Sequence, residues 1–188
     1  MKNAILLLLF FVSYYTRALE PSTQKPVLLI RQVQPLITDV NGCAYKGIQN
    51  VKVVDFSCEA KEEDLYLSNL PLLFWVSEKV RDVKNVISSI TVVINGDTIA
   101  FNQSLVNEGY KICLNLVITD KLMIRKDNVV RGSIYVNINR MDRYIFPSGT
   151  SIMVSIDPSV RRPGVFDTNN NLVEVSGVVK TPKIMFTM

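Results

Sequence analysis

The side chains of this 188-residue chain that could carry chemistry are three cysteines and one acidic cluster. Cys43, Cys58 and Cys113 are widely spaced and the chain has no histidine, which excludes Ser-His-Asp and Cys-His catalysis and a four-thiolate zinc site. A carboxylate pair for acid–base catalysis is conceivable in the acidic cluster, which comprises Asp55, Glu59, Glu62, Glu63 and Asp64. Such a run is more typical of a solvated loop. The sequence therefore predicts no enzyme activity, no catalytic residue, no cofactor and no metal.

The first 18 residues have the three-part pattern of a secretory signal peptide. Lys2 supplies a positive charge, Ala4 to Val12 is an unbroken apolar run, and Thr16-Arg17-Ala18 places small residues before a cleavage point. The apolar run is about half of the roughly 20 residues that a membrane-spanning helix needs. We therefore expect a protein that is secreted, extracellular or resident in the lumen of the secretory–endosomal pathway.

The charge pattern and one modification motif complete this picture of an exported protein. Lysine and arginine number 21 against 17 acidic residues, but no basic cluster exceeds the pair Arg161-Arg162. Nucleic-acid binding needs a concentrated positive surface, so the sequence predicts no nucleic-acid partner. Asn102 begins an Asn-Gln-Ser sequon, which predicts a glycosylation site, with an unmodified asparagine as the equal alternative.

Alternation of apolar and polar side chains dominates after residue 45 and predicts strands. The regular cases are Tyr110 to Thr119, Ser133 to Asn139 and Ser151 to Asp157. Asn95-Gly96 tolerates the positive φ of a tight turn, which predicts a hairpin over 90–101. The remaining predicted strands are 49–56, 72–76 and 173–179. Seven or eight short strands separated by turn-forming clusters indicate an all-β, two-sheet sandwich.

Two segments do not fit the alternating pattern. Residues 78–87 carry Val80, Val83 and Ile87 at a spacing that suits a short helix, although strand remains open there. Prolines interrupt residues 19–40, so we expect an extended N-terminal arm with at most one edge strand. Residues 1–18 are then the signal peptide and residues 41–188 the β-sandwich domain.

The stretch from Cys43 to Cys58 resembles the opening of a known family. It has a cysteine, Gly47 four residues later, alternating apolar positions, and the second cysteine after fourteen intervening residues. Arg131-Gly132-Ser133-Ile134-Tyr135 and the loop at 144–148 follow in the family's order. Together they resemble the ML lipid-recognition family, which includes the Niemann–Pick type C sterol carrier and the group 2 mite allergens. The resemblance covers about residues 41–186.

This resemblance implies a secreted, immunoglobulin-like β-sandwich that holds a sterol or another apolar lipid between its sheets. Removal of lipid surface from water, at roughly 25 cal/mol per Å², would drive binding. A receptor or membrane protein is a further partner that such a carrier can have. The implied ligand-binding residues are Phe74, Val76, Ile99, Phe101, Leu114, Leu116, Ile134, Tyr135, Val136, Val154 and Ile156.

Two details of the resemblance remain open. The family motif directs Tyr135 toward the ligand, whereas alternation places Tyr135 on the opposite face from Ile134 and Val136. Family members usually have three disulfides, and the disulfide candidates here are Cys43, Cys58 and Cys113. In an oxidising compartment we expect one bridge and one free thiol among them.

The same alternation also fills a closed sandwich that has no ligand. The alternative function is therefore a secreted protein-interaction module, such as an immune modulator or a surface protein. Its anchors would be exposed aromatic side chains, for which Trp75, Tyr66 and the Tyr144-Ile145-Phe146 loop are the candidates. Bound lipid in the purified protein separates the two functions.

Overall fold

The described part of the chain is almost entirely β-structure. A computed structural model describes residues 25–33, 39–41, 47–77, 79–102 and 109–187, without the side chains of 39–41 and 100–102. The strands in this part are β1 (Val27–Val33), β2 (Asp39–Asn41), β3 (Ile48–Lys61), β4 (Leu65–Val76), β5 (Ile87–Ile94), β6 (Asp97–Asn102), β7 (Lys111–Ile124), β8 (Val129–Ile138), β9 (Thr150–Ile156), β10 (Gly164–Phe166), β11 (Glu174–Ser176), β12 (Val179–Lys180) and β13 (Ile184–Thr187).

These strands form two sheets that pack against each other, which confirms the predicted all-β sandwich. The first sheet has the order β11-β1-β3-β8-β5-β6. The second has the order β10-β4-β9-β13-β2, with β7 paired to β4 and β12 paired to β9. Neighbouring strands are antiparallel except for the β1–β11 and β13–β2 pairs.

The predicted alternating runs are the long strands β7, β8 and β9, and the predicted hairpin is β5–β6. Asn95 and Gly96 both have positive φ, 53° and 94°, as the two central residues of a type I′ turn require. Every second side chain in β8 is buried. The period-2 pattern therefore predicted both the strands and the faces that they bury.

The N-terminal segment differs from the prediction. The sequence suggested at most an edge strand there, but β1 lies between β3 and β11 in the first sheet. Leu28 and Ile30 of β1 are fully buried or nearly so. The physical reason is that the seven residues after Pro26 contain no proline, so their amides can donate the ladder hydrogen bonds that a proline cannot.

Two further segments are resolved or corrected by the structure. The ambiguous segment 78–87 holds one 3-10 turn, Val83–Asn85, before β5 begins. The run predicted at 173–179 is split into β11 and β12 at Gly177, whose φ is 96°. A Cβ at Gly177 would collide with the backbone carbonyl of Ile30, so glycine permits β11 to approach β1 this closely.

The layer between the sheets is one continuous cluster of aliphatic and aromatic side chains. The few buried polar side chains in it are satisfied: Thr181 Oγ1 accepts a hydrogen bond from the Val154 amide at 2.9 Å, and Thr150 Oγ1 donates to the Pro147 carbonyl at 2.6 Å. In the described residues, no buried side-chain nitrogen or oxygen lacks a partner. This layer therefore carries no unpaired polar group that a ligand would have to satisfy.

Candidate interaction surface

The residues predicted to contact a lipid lie mainly in the packed layer between the sheets. Six of them expose 1 % of their surface or less, namely Phe74, Val76, Ile134, Val136, Val154 and Ile156. A side chain that borders an empty space large enough for water would expose area to that space. These six side chains therefore border no such space in the layer between the sheets, and the core is filled where they lie.

The other predicted ligand-binding residues have different surroundings. Leu114 and Leu116 of β7 keep 6 % and 4 % exposure, and Ile99 is half-buried against the core. The side chain of Phe101 lies outside the described residues. Tyr135 is half-buried, in register with Lys52 on one neighbouring strand and Thr91 on the other. The Tyr135 side chain therefore lies on the opposite face from the buried Ile134 and Val136, as the alternation predicts, and not toward the core as the family motif implies.

The cysteines do not support the predicted disulfide. Cys58 and Cys113 are both free, and Cys43 lies outside the described residues. Cys58 is fully buried between Ile30 and Val130, and this burial raises the pKa of its thiol to about 12. The predicted signal peptide at 1–18 and the side chain of Asn102, the predicted glycosylation site, also lie outside the described residues.

The acidic cluster is distributed among separate ion pairs and hydrogen bonds. Asp55 accepts hydrogen bonds from Ser133 Oγ at 2.5 Å and from Lys52 Nζ at 2.8 Å. Burial alone would raise the pKa of Asp55, but these hydrogen bonds and the Lys52 charge outweigh it and lower that pKa. Glu59 pairs with Lys61 and Arg31, and Asp64 accepts from a backbone amide. Across the described ranges no three His, Cys, Asp or Glu side chains are grouped to hold a metal ion.

The outer face of the second sheet carries an exposed tryptophan. Trp75 lies on β4 and is 44 % exposed, whereas its neighbours Phe74 and Val76 are buried. Trp75 is in register with Lys111 on β7 and with Met153 on β9. The Lys111 Nζ lies 5.7 Å from the centre of the Trp75 ring, within the range of a cation–π contact. We refer to Trp75 and Met153 as the Trp75 ridge.

An open groove lies on each side of the Trp75 ridge. The larger groove, of about 390 Å³, contains Lys79 and Lys183 and is called the Lys79–Lys183 groove. Its other described lining residues are Val76, Ser77, Ser151 and Ile152. The smaller groove, of about 130 Å³, contains Lys111 and Lys180 and is called the Lys111–Lys180 groove. Both grooves share Trp75 and Met153, so one ridge separates two lysine-containing depressions.

The two grooves differ in electrostatics. Asp157 lines the Lys111–Lys180 groove and is the single acidic side chain among the described lining residues of the two. Asp157 accepts hydrogen bonds from the Ser159 side chain and amide, which lower its pKa, and the charge of Lys180 lowers it further. Among its described lining residues the Lys79–Lys183 groove has two lysines and no acidic side chain.

The sequence predicted Trp75 as an exposed candidate anchor, and the structure confirms the exposure, but the residues around it were not predicted. The triplet Phe74-Trp75-Val76 lies in a strand, so period-2 alternation alone turns the tryptophan outward between two buried neighbours. Met153, Lys79 and Lys183 come from segments distant in the sequence. The β4–β9 pairing brings Met153 to the tryptophan, and no local pattern predicts that pairing. Tyr66, the second predicted anchor, is half-buried on β4.

The third predicted anchor, the 144–146 loop, is divided between surface and core. Tyr144 and Ile145 are exposed, whereas Phe146 is fully buried with its ring edge-on to Phe186, the centroids 5.4 Å apart. Asp142 Oδ1 accepts hydrogen bonds from the Tyr144 and Ile145 amides at 2.8 and 3.0 Å. The loop therefore holds its two exposed apolar side chains in a fixed turn.

We predict that this turn loosens in acid. The hydrogen bonds from the Tyr144 and Ile145 amides lower the pKa of Asp142 below its ordinary 3.8. The turn is thus stable above that value and weakens as the pH falls through the lowered pKa. Asp142→Ala should raise amide hydrogen exchange at both residues about three- to tenfold at neutral pH. Asp142→Asn retains a hydrogen-bond acceptor, so the Tyr144 and Ile145 amides should stay protected from exchange in that variant. Equal exchange rates in the wild type and both variants would contradict the prediction.

Comparisons with known proteins give no family for this chain. No protein-family model and no curated protein sequence matches it. One similar solved structure is described as AvmM, which catalyses macrocyclization in alchivemycin A biosynthesis. It has a TM-score of 0.43 at 11 % identity, over 86 % of this chain and 91 % of that chain. The pilus backbone RrgB of Streptococcus pneumoniae has a TM-score of 0.32 at 13 % identity, over 71 % of this chain and 52 % of that chain.

These similarities are too weak to bear on function, and they leave the resemblance to the ML family untested. Among the described residues, no helix has the length and apolar character needed to cross a membrane.

Proposed function

We propose that this protein is a secreted β-sandwich interaction module that binds a protein partner through the Trp75 ridge and its two grooves. The observation that carries the proposal is the contrast between core and surface. Six residues predicted to contact a lipid have side chains that are fully packed in the layer between the sheets, while Trp75 is exposed on the outer face between two open grooves. The proposal takes up the alternative function that the sequence left open.

The composition of the ridge supports a protein interface. Tryptophan and methionine are enriched in such interfaces, and tryptophan is also enriched among the hot-spot residues that dominate binding energy. An exposed tryptophan leaves a large apolar area in water that a partner can bury. The strand pairing of Trp75 with both β7 and β9 fixes the ridge on rigid elements, so little ordering entropy is lost on binding. Such a function requires no catalytic group, cofactor or metal.

The proposal predicts that Trp75→Ala abolishes partner binding. The immobilised wild type should capture a partner from the extracellular or secretory fraction of the source cells. The affinity of that partner should be at least about 30-fold lower for the variant. Val117→Ala is the matched control, since Val117 is 68 % exposed on β7 and lies in neither groove. A partner whose affinity is unchanged by Trp75→Ala, or lowered equally by Val117→Ala, contradicts the assignment of this surface.

Lipid carriage remains a second candidate because one edge of the sandwich is less tightly closed. The inward side chains Ile112, Leu114, Leu116 and Ile118 of β7 keep 4–6 % exposure, whereas those of neighbouring β4 have 1 % or less. Within the described residues β7 pairs on one side only, with β4. A sterol or other lipid would have to enter by separating β7 from the first sheet.

The two candidates give opposite results with lipid. A carrier should yield a stoichiometric lipid by mass spectrometry of an organic extract and should take up a fluorescent sterol. The interaction module should yield an empty extract and no saturable uptake. Stoichiometric lipid, lost in a Leu114→Lys/Leu116→Lys variant that remains folded, would replace the proposed function with carriage.

A further inference from the structure

We infer that the Lys79–Lys183 groove receives the carboxylate of an acidic segment of the protein partner, while an apolar residue of that segment packs on the Trp75 ridge. This inference rests on the proposed function and adds the chemistry of the partner. It follows from the charge, the hydrogen-bonding capacity and the shape of the groove.

The charged side chains among the described lining residues of the groove are both lysines. Lys79 and Lys183 are exposed and line the same groove, and neither forms a salt bridge with a described residue. No acidic side chain is among the described lining residues. Two ammonium groups around one depression repel each other, and a carboxylate placed between them relieves that repulsion.

The floor of the groove adds a fixed hydrogen-bond donor. The Ser77 amide donates to the Ser151 carbonyl at 2.8 Å, and Ser77 Oγ accepts a hydrogen bond from the Ser151 amide at 3.3 Å. These bonds extend the β4–β9 pairing beyond Val76 and hold the serine in place. With its oxygen accepting from the protein, the Ser77 hydroxyl keeps its proton for an incoming carboxylate.

The Lys111–Lys180 groove is a poorer anion site, which gives the binding a direction. Lys111 is already placed over the Trp75 ring, and Lys180 lies close enough to Asp157 to lower the pKa of that carboxyl. The acidic end of the partner segment is therefore assigned to the Lys79–Lys183 groove. The remainder of the segment crosses Trp75 and Met153 toward the other groove.

The shape and apolar content favour a protein segment over a sulfated glycan. Met153 lines both grooves beside Trp75, so the ridge offers a thioether as well as a ring. A flexible thioether packs well against aliphatic or aromatic side chains but is only a weak hydrogen-bond acceptor for sugar hydroxyls.

The test is an NMR titration of the full chain with two end-capped pentapeptides, Gly-Glu-Phe-Glu-Gly and its glutamine counterpart. The acidic peptide should shift the Trp75 indole N–H and the Ser77 and Ser151 amides. Its affinity should fall about tenfold in a Lys79→Gln/Lys183→Gln variant, because two charge pairs are lost. The glutamine peptide should bind the wild type about tenfold more weakly and be indifferent to that variant. Lys25→Gln/Lys126→Gln is the control with the same charge change outside both grooves.

Each contrary outcome overturns the inference. One such outcome is that the acidic peptide shifts none of the named NMR signals. A second is that the control variant loses as much peptide affinity as Lys79→Gln/Lys183→Gln. A third is that a sulfated oligosaccharide displaces the peptide at a concentration below that of the peptide. Failure here is distinguishable from failure of the proposed function. If Trp75→Ala abolishes partner binding while Lys79→Gln/Lys183→Gln leaves it unchanged, the interface stands and the acidic partner is wrong.

Discussion

Replacement of Phe74 by alanine is expected to lower the free energy of unfolding by about 3–5 kcal/mol. Phe74 is fully buried in the layer between the sheets, and its strand neighbours in β7 and β9 are the core residues Ile112 and Val154. Truncation therefore removes a large apolar side chain and leaves a cavity that rigid paired strands cannot close. Urea denaturation followed by circular dichroism measures the change directly.

The next residue in the strand provides the matched control. Trp75 is larger than Phe74 but lies on the outer face, so Trp75→Ala should cost less than about 1 kcal/mol of stability. The two adjacent substitutions should thus separate stability from partner binding. A Trp75→Ala loss as large as that of Phe74→Ala would mean that the register of β4 is wrong.

The same urea denaturation, carried out before and after extraction with organic solvent, also distinguishes a filled core from a lipid site. In a filled core, truncation lowers stability whether or not the protein has been extracted with organic solvent. In a carrier, the bound lipid contributes to the stability of the loaded protein by mass action. Extraction of the wild type should then lower its stability before any substitution is made. A filled core predicts equal wild-type stability before and after extraction.

The parts of this fold that the sequence predicts are those set by local periodicity. The alternation at 133–139 depends only on which side chains point to the same face, and it recovers β8 and its buried side. The Asn95-Gly96 turn depends only on which residues tolerate positive φ, and it recovers the hairpin. Both patterns act over a few residues, so a single sequence contains them in full.

The parts that the sequence misses depend on pairing between distant segments. β1 is an interior strand because β3 pairs on one side of it and β11, about 145 residues later, pairs on the other. The Lys79–Lys183 groove likewise exists only because β4 and β9 are adjacent. Nothing near Leu28 or Lys79 in the sequence specifies these partners, and the closure of such long-range contacts is decided by the whole core.

Cys58 is a buried core residue with a free thiol, and it is one of the three predicted disulfide candidates. The sequence predicted one bridge among the three cysteines, whereas Cys58 is a free thiol buried between β1 and β8. A buried thiol resists ionisation because the thiolate loses its hydration, and this raises its pKa from 9.0 to about 12. A cysteine in a disulfide has no proton to lose, so its titration separates the two states.

The protein is therefore expected to lose stability in mild alkali through Cys58. Its folded-state pKa is raised, so the contribution is fully present below about pH 9 and is lost as the pH rises through about 12. The unfolded thiol ionises first, which costs the native state about 2 kcal/mol between pH 8 and pH 10.5. Cys58→Ala should lower stability at pH 8 through its small cavity but should lack this component of the pH dependence.

Urea denaturation of both proteins at a series of pH values measures the difference between the two curves. The curves should converge as the pH rises, because only the wild type loses the contribution of Cys58. Parallel curves would show that Cys58 does not titrate on unfolding, which is the behaviour of a disulfide-bonded cysteine. In that case, Cys43, outside the described residues, would be the first partner to examine by intact mass with and without reduction.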